Sequence, residues 1–308
     1  MKTKLIALFL LTCMLLSYVS CTNVKAPAAS TEETLGTTEA PSTEGSTEQT
    51  PPEEVDPNVL DKSQTYNVLF VGNSYTHRND LAGSFFFNIC RFAGYKVFVT
   101  VCSDSSYYLI DSANPEDPLG EKVDAELKKG TYDFVVLQEQ SLCPIQDPGK
   151  FYTGVRNLNK KILEGGAQTV LYSTWARQTG NKILTQNGWT NESMTWLLAA
   201  SYEAIGKEIG AEVAYTGLAF YDVHTNHPEI TQLYHEDQSH PGRAGSYLAA
   251  LTIFAEITGV DPTTLTYNAG FDAETAAILK EAARKAVFEP PAIPEQYKTS
   301  SEGVGSSQ

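Results

Sequence analysis

The chain has 308 residues, 42% of them hydrophobic and 19% charged, an ordinary composition for a globular protein with its own core. A formal net charge of −15 argues against nucleic acid and anionic membrane surfaces as electrostatic partners. Five cysteines with no Cys-x-x-Cys pair and no metal-ligand spacing exclude a disulfide scaffold.

Met1-Lys2-Thr3-Lys4 is basic, and residues 5–19 are apolar over a length too short to span a bilayer comfortably. Together they predict an export signal over residues 1–20. Its end, Leu16-Ser17-Tyr18-Val19-Ser20-Cys21, resembles a bacterial lipobox, with Tyr18 where such motifs usually carry leucine. The resemblance implies lipidation at Cys21, the only contact with a membrane, and a location on the outer face of a bacterial membrane. The plainer alternative is a secretory signal with an incidental cysteine. Residues 21–62 are rich in Ser, Thr, Glu and Pro, with nine acidic residues against Lys25 and Lys62. They cannot bury enough apolar surface to offset ordering entropy, which predicts a disordered tether.

From residue 63 to 288 the chain alternates. Apolar, β-rich runs fall at 66–71, 96–101, 132–137, 169–173 and 212–215. Helical patterns lie near 81–92, 122–128, 151–163 and 193–209, then 245–257 and 273–287. Such alternation predicts βαβ units in one α/β domain, a three-layer α/β/α sandwich around a five-stranded parallel sheet. Residues 289–308 resemble the tether in composition and are expected to be a disordered tail. Cys90, Cys102 and Cys143 remain within the domain; Cys102 and Cys143 either pair or stay as buried thiols.

Two stretches carry chemistry. In Val68-Leu69-Phe70-Val71-Gly72-Asn73-Ser74-Tyr75-Thr76 a buried strand runs into a tight turn and a helix start. A serine there lies where open α/β sheets bind ligands and where helix N–H groups favour negative charge. Ser74 is a nucleophile or, on the plainer reading, an N-cap. In Asp237-Gln238-Ser239-His240-Pro241, a carboxylate three residues before an imidazole can orient one ring nitrogen while the other accepts a proton.

Gly72-Asn73-Ser74 after a first strand, with Asp237-x-x-His240-Pro241 before a late helix, resembles the SGNH (GDSL-type) hydrolase superfamily across roughly residues 64–257. The resemblance implies a sheet of order 2-1-3-4-5, Ser74 as nucleophile, His240 as general base and then acid, and Asp237 as the orienting carboxylate. An α/β-hydrolase would need Gly-x-Ser-x-Gly, which Gly72-Asn73-Ser74-Tyr75-Thr76 is not. The family's first block is usually Gly-Asp-Ser, and its oxyanion donors include a glycine N–H after the second strand and an asparagine amide after the third. Here Cys102-Ser103-Asp104-Ser105-Ser106 contains no glycine, and Leu137-Gln138-Glu139-Gln140-Ser141 has Gln140 in the asparagine's place. The implied oxyanion donors are therefore the Ser74 N–H, the N–H of Ser105 (or Ser106) and the Gln140 amide, with Gln138 as the alternative amide.

Asn73, Glu139, Trp175 and Arg177 are expected at the rim as substrate contacts. Trp175 is placed to stack on a sugar or to fill the core. Arg177 is placed to bind a carboxylate or hydroxyl, or to form a structural ion pair. Glu139 is either a polar contact or a surface acid. The function implied is a cofactor-independent exported esterase, its substrate an O-acetylated glycan or other small ester. Two rivals stand beside it. One is a carbohydrate-binding lipoprotein on a decayed hydrolase fold. The other is a metal-dependent hydrolase built from Asp222, His224, His227, His235, Glu236 and His240; no known metal motif matches that spacing.

Overall fold

The computed structural model describes residues 59–298. The expected export signal, Cys21, most of the expected tether and residues 299–308 lie outside the described residues. Five strands form one sheet: β1 Thr65–Gly72, β2 Lys96–Ser103, β3 Phe134–Leu137, β4 Gln168–Tyr172 and β5 Glu212–Ala214. Every pairing is parallel and the order is 2-1-3-4-5. Val68, Leu69, Phe70 and Val71 are buried on both faces of the sheet. That is why β1 is an unbroken apolar run rather than an alternating one.

The helices follow in chain order: α1 Ser74–His77, α2 Phe87–Phe92, α3 Leu109–Ser112, α4 Pro118–Leu127, α5 Cys143–Gln146 and α6 Pro148–Glu164. Then come α7 Lys182–Gln186, α8 Asn191–Ile209, α9 Thr216–Asn226, α10 Arg243–Thr258 and α11 Ala273–Phe288. Val68 and Phe70 point into a core shared with α2, α9, α10 and α11. Leu69 and Val71 point into a second core with α4 and α6. The helix α8 contributes Trp196 and Ala199 to the first core and Tyr202 and Ile205 to the second. The molecule is thus a three-layer α/β/α sandwich.

Register brings the loops that matter to one end. Gly72 pairs with Ser103, Val71 with Leu137, and Leu137 with Leu171. The residues after β1, β2, β3 and β4 therefore emerge side by side, at the carboxyl edge where such sheets hold ligands. The helix α10 lies deep in the first core, with 14 of its residues buried. A helix apolar on all sides belongs in an interior, and this one fixes the position of the loop that precedes it.

The structure corrects the expected boundaries. Residues 59–62 and 289–298, assigned to tether and tail, belong to the fold. The Leu60 N–H donates to the Thr258 carbonyl at 3.1 Å, and Tyr95 Oη donates to the Leu60 carbonyl at 3.2 Å. Ile293 is buried in the first core and Tyr297 packs against it. A few apolar residues in a polar stretch anchor it, which average composition hides. The helix α9 falls in a stretch to which no element was assigned; its buried face includes Leu218, Ala219, Phe220 and Val223. Cys102 and Cys143 are both buried and no disulfide joins them.

Truncating a buried isoleucine costs about 2–5 kcal/mol. Ile293→Ala is expected to fall at the lower end, about 2 kcal/mol, because its segment is peripheral. Urea denaturation checks this, and an unchanged midpoint would return residues 289–298 to the status of a tail.

Candidate active site

The strand β1 ends at Gly72, where a side chain has no room: a Cβ would lie 2.4 Å from Thr76 Oγ1 and 2.7 Å from Gln138 Oε1. Asn73 then caps α1, its Oδ1 accepting from the Tyr75 N–H at 3.2 Å. Ser74 is the first residue of that turn. Its Oγ lies 2.8 Å from His240 Nε2, and His240 Nδ1 lies 2.6 Å from Asp237 Oδ2. Serine, imidazole and carboxylate form one hydrogen-bonded series.

Local chemistry holds the second half of that series. Asp237 Oδ1 accepts from the N–H groups of Ser239 at 3.0 Å and His240 at 2.9 Å. Gln238 takes a left-handed conformation, φ 59°. The His235 N–H donates to the His240 carbonyl at 2.9 Å and closes the loop. Partial burial pushes the Asp237 carboxyl up, but the hydrogen bonds from His240 and Ser239 outweigh it and hold the group at about 2.

Beneath this loop lies an aromatic stack. Tyr75 and Trp175 are parallel with centroids 4.6 Å apart, and Trp175 and Phe220 are parallel at 4.0 Å. Trp175 Nε1 donates to the Ser239 carbonyl at 3.0 Å, and the Tyr75 and Ser239 hydroxyls lie 2.8 Å apart. The His240 ring meets the Tyr75 ring edge-on at 5.3 Å. Tyr75 thus links the Ser74 turn to the His240 loop. Sequence reasoning passed over it and Ser239, and the only available signal was their position beside Ser74 and His240.

Several expected rim residues are not at the rim. Trp175 is fully buried and offers no ring to a sugar. Asn73 is buried with its polar atoms engaged: Nδ2 donates to the Tyr107 carbonyl at 3.0 Å, and Oδ1 also accepts from Gln138 Nε2 at 3.0 Å. Arg177 is 7% exposed. It donates to Tyr75 Oη and, at 2.7 Å, to Ser141 Oγ; no carboxylate pairs with it among the described residues. Glu139 is fully buried. Burial pushes its carboxyl up to about 8, against the pull of N–H donors from Gln140 and Leu109.

The oxyanion candidates separate. The Ser105 N–H is taken by Asp104 Oδ1 at 2.7 Å, so it is not available. Ser106 follows in the left-handed region, φ 64°, and its N–H has no acceptor among the described residues. That backbone region is the one glycine favours, and Ser106 takes it where the superfamily resemblance led one to look for glycine. Gln138 is buried and committed, its Oε1 accepting from the Asn73 N–H at 2.9 Å and Thr76 Oγ1 at 2.8 Å. Gln140 is held differently. Its Oε1 accepts from the N–H groups of Leu142 at 2.8 Å and Cys143 at 3.1 Å, which leaves its NH2 group as a donor.

The side chains of the rival metal reading are dispersed. His224 Nε2 bonds Thr179 Oγ1 at 2.9 Å, and His227 Nδ1 bonds Glu229 at 3.0 Å. His235 and His240 both flank Asp237. Among the described residues no three His, Cys, Asp or Glu side chains group as metal ligands.

Serine, histidine and aspartate lie in hydrogen-bonded series at the carboxyl edge of a parallel sheet, the arrangement that serine hydrolases use. No family model and no curated protein matches the chain. Among solved structures it is similar to a provisionally assigned SGNH hydrolase from Slackia heliotrinireducens, with 27% identity and a TM-score of 0.56, covering 63% of this chain and 100% of that one. It is also similar to a DUF4886 family protein from Bacteroides uniformis ATCC 8492, with 17% identity and a TM-score of 0.64, covering 75% of this chain and 98% of that one. A catalytic mutant of an acetylxylan esterase from Geobacillus stearothermophilus matches at 16% identity and a TM-score of 0.46, over 62% of this chain and 94% of that one. That last likeness is too slight to bear on substrate. The chain has the SGNH hydrolase fold and is related to that superfamily at low sequence identity.

The two carboxyls act oppositely on stability. Glu139, raised from 4.5 to about 8, holds a proton when folded that the unfolded chain releases, so its contribution is lost as pH rises from about 4.5 to about 8. Asp237, lowered from 3.8 to about 2, contributes stability above 3.8 that is lost as pH falls towards 2. Glu256, also raised by burial to about 8, adds to the alkaline slope. Glu139→Gln is expected to flatten part of the fall in melting temperature between pH 5 and 8, followed by calorimetry; an unaltered slope would place the Glu139 carboxyl in water.

Proposed function

We propose that the protein is an exported serine esterase that works through an acyl-enzyme intermediate. The observation that carries this reading is the unbroken series from Ser74 Oγ through His240, with links of 2.8 and 2.6 Å, to an Asp237 carboxylate held ionised. Ser74 Oγ attacks the acyl carbon of an ester while His240 Nε2 takes its proton. Asp237 keeps the imidazole in the productive tautomer and stabilises its charge. The tetrahedral oxyanion accepts from the Ser74 N–H, the Ser106 N–H and the Gln140 amide. Its collapse expels the alcohol, which leaves with the proton from His240. Water, activated in turn by His240, then releases the acid and restores Ser74.

The substrate class is an O-acyl group, taken as acetyl, on a carbohydrate met outside the cytoplasm. Support comes from the export signal and lipobox-like residues 16–21 and from kinship with the SGNH hydrolases. Because Trp175 lies inside, no aromatic sugar platform is part of this reading. A pure binding module would have no use for serine, histidine and aspartate held in series.

Hydrolysis of p-nitrophenyl acetate tests the reading. Ser74→Ala is expected to lower kcat/KM by at least about a thousandfold. Equal, feeble rates in both proteins would leave Ser74 an ordinary first residue of α1, which Asn73 already caps, and turn attention to glycan binding. Gln140→Ala is expected to lose about 100-fold in kcat, the scale of one oxyanion donor. A loss below about threefold would remove the Gln140 amide from the oxyanion site.

A further inference from the structure

Glu139 is a fully buried carboxyl that no step of the proposed mechanism uses. Its position is specific. Oε1 accepts from the Gln140 N–H at 2.5 Å and from the Leu109 N–H at 3.3 Å, and Oε2 shares the Leu109 N–H at 3.3 Å. Gln140 lies in the loop after β3, which begins at Gln138. Leu109 closes the loop after β2, which carries Ser106 and is also gripped at the Tyr107 carbonyl by Asn73 Nδ2. One carboxyl therefore ties together the two loops that carry the second and third oxyanion donors.

We infer that Glu139 is a positioning residue that clasps the two oxyanion loops and, through its own charge, governs how readily they accept negative charge. This rests on the serine-esterase reading of the site. As a neutral acid it supplies the oxygen that both N–H groups need and adds no charge behind the developing oxyanion. As a carboxylate it keeps the clasp but places a negative charge against the loops in a poorly screened interior, where like charges repel strongly.

The surroundings favour the neutral form at physiological pH. Desolvation is the largest influence on the group and raises it to about 8. Lys150 on α6 pulls it down and Asp111 on α3 pushes it up. Lys150 is divided, its Nζ 3.4 Å from the centre of the Tyr108 ring and 4.0 Å from Asp111. The remaining titratable neighbours are the Cys143 thiol on α5 and the Tyr202 hydroxyl on α8. Burial pushes both upward, Cys143 to about 12, so both are neutral where Glu139 titrates. The Tyr202 hydroxyl accepts from the Glu139 N–H at 3.4 Å.

Two variants of the purified protein separate clasp from charge. Glu139→Gln keeps an oxygen for both N–H groups and cannot ionise. Glu139→Leu removes the acceptor. On p-nitrophenyl acetate, Glu139→Gln is expected to keep kcat within about threefold at pH 7, and to hold it above pH 8 where the unsubstituted enzyme declines. Glu139→Leu is expected to lose about 100-fold in kcat with KM little changed, the cost of a misplaced catalytic donor. The Gln140 and Leu109 amide resonances are expected to titrate with a midpoint near 8 in the original protein and to stay flat in Glu139→Gln.

An unchanged alkaline limb in Glu139→Gln, or amides that do not titrate, overturns the charge role even if Glu139→Leu fails to fold. Unaltered kcat in a folded Glu139→Leu overturns the clasp. Ser74→Ala runs alongside: if it keeps full activity the esterase reading falls, and the amide titration alone then decides whether Glu139 joins the two loops.

Discussion

Ser74 and His240 are 166 residues apart in sequence, and their side chains meet at 2.8 Å. Bringing so distant a pair together costs chain entropy, which the two cores must offset before the contact can exist. On one side, β1 is central and buried on both faces, so its end cannot wander. On the other, α10 is buried along nearly its whole length, so the loop before it starts from a fixed point. The tyrosine next to the serine completes the bracing. Tyr75 stacks on Trp175, and both reach Ser239, the residue before the histidine.

The carboxyl edge of the sheet is where this fold concentrates polar side chains in its interior. Asn73, Gln138, Glu139 and Arg177 are all buried there, and each spends hydrogen bonds on backbone or side chains of a neighbouring loop. A buried polar group without partners costs about 1–3 kcal/mol, so such a network holds one arrangement of the loops and penalises others. Gln140 differs from these four because only its oxygen is tied. Its NH2 group has no acceptor among the described residues and is the donor that the proposed mechanism assigns to the oxyanion.

The strand–helix alternation was legible because buried parallel strands are continuous apolar runs and covering helices keep a 3.6-residue period. The superfamily resemblance supplied the sheet order, which periodicity alone does not contain. Asp237 and His240 were legible as a pair because a carboxylate three residues before an imidazole is a local spacing, whereas their link to Ser74, 166 residues away, came from the superfamily resemblance. The supporting residues stayed open for the opposite reason. Trp175, Arg177 and Glu139 follow strands at the ligand-binding edge, so each was weighed between a substrate contact and another role, and whether a side chain there points outward or into the layers depends on partners far away in sequence. Trp175 is claimed by Phe220, Arg177 by Ser141, and Glu139 by Leu109. Composition failed similarly at Ile293, where one buried side chain outweighs a polar neighbourhood.

The central claim is that His240 activates Ser74 as a nucleophile, and the most direct measurement is covalent labelling by a fluorophosphonate probe, mapped by peptide mass spectrometry. A single adduct is expected on Ser74, with labelling abolished in Ser74→Ala and strongly slowed in His240→Asn. No adduct on the intact protein, or equal labelling rates with and without the imidazole, would contradict it.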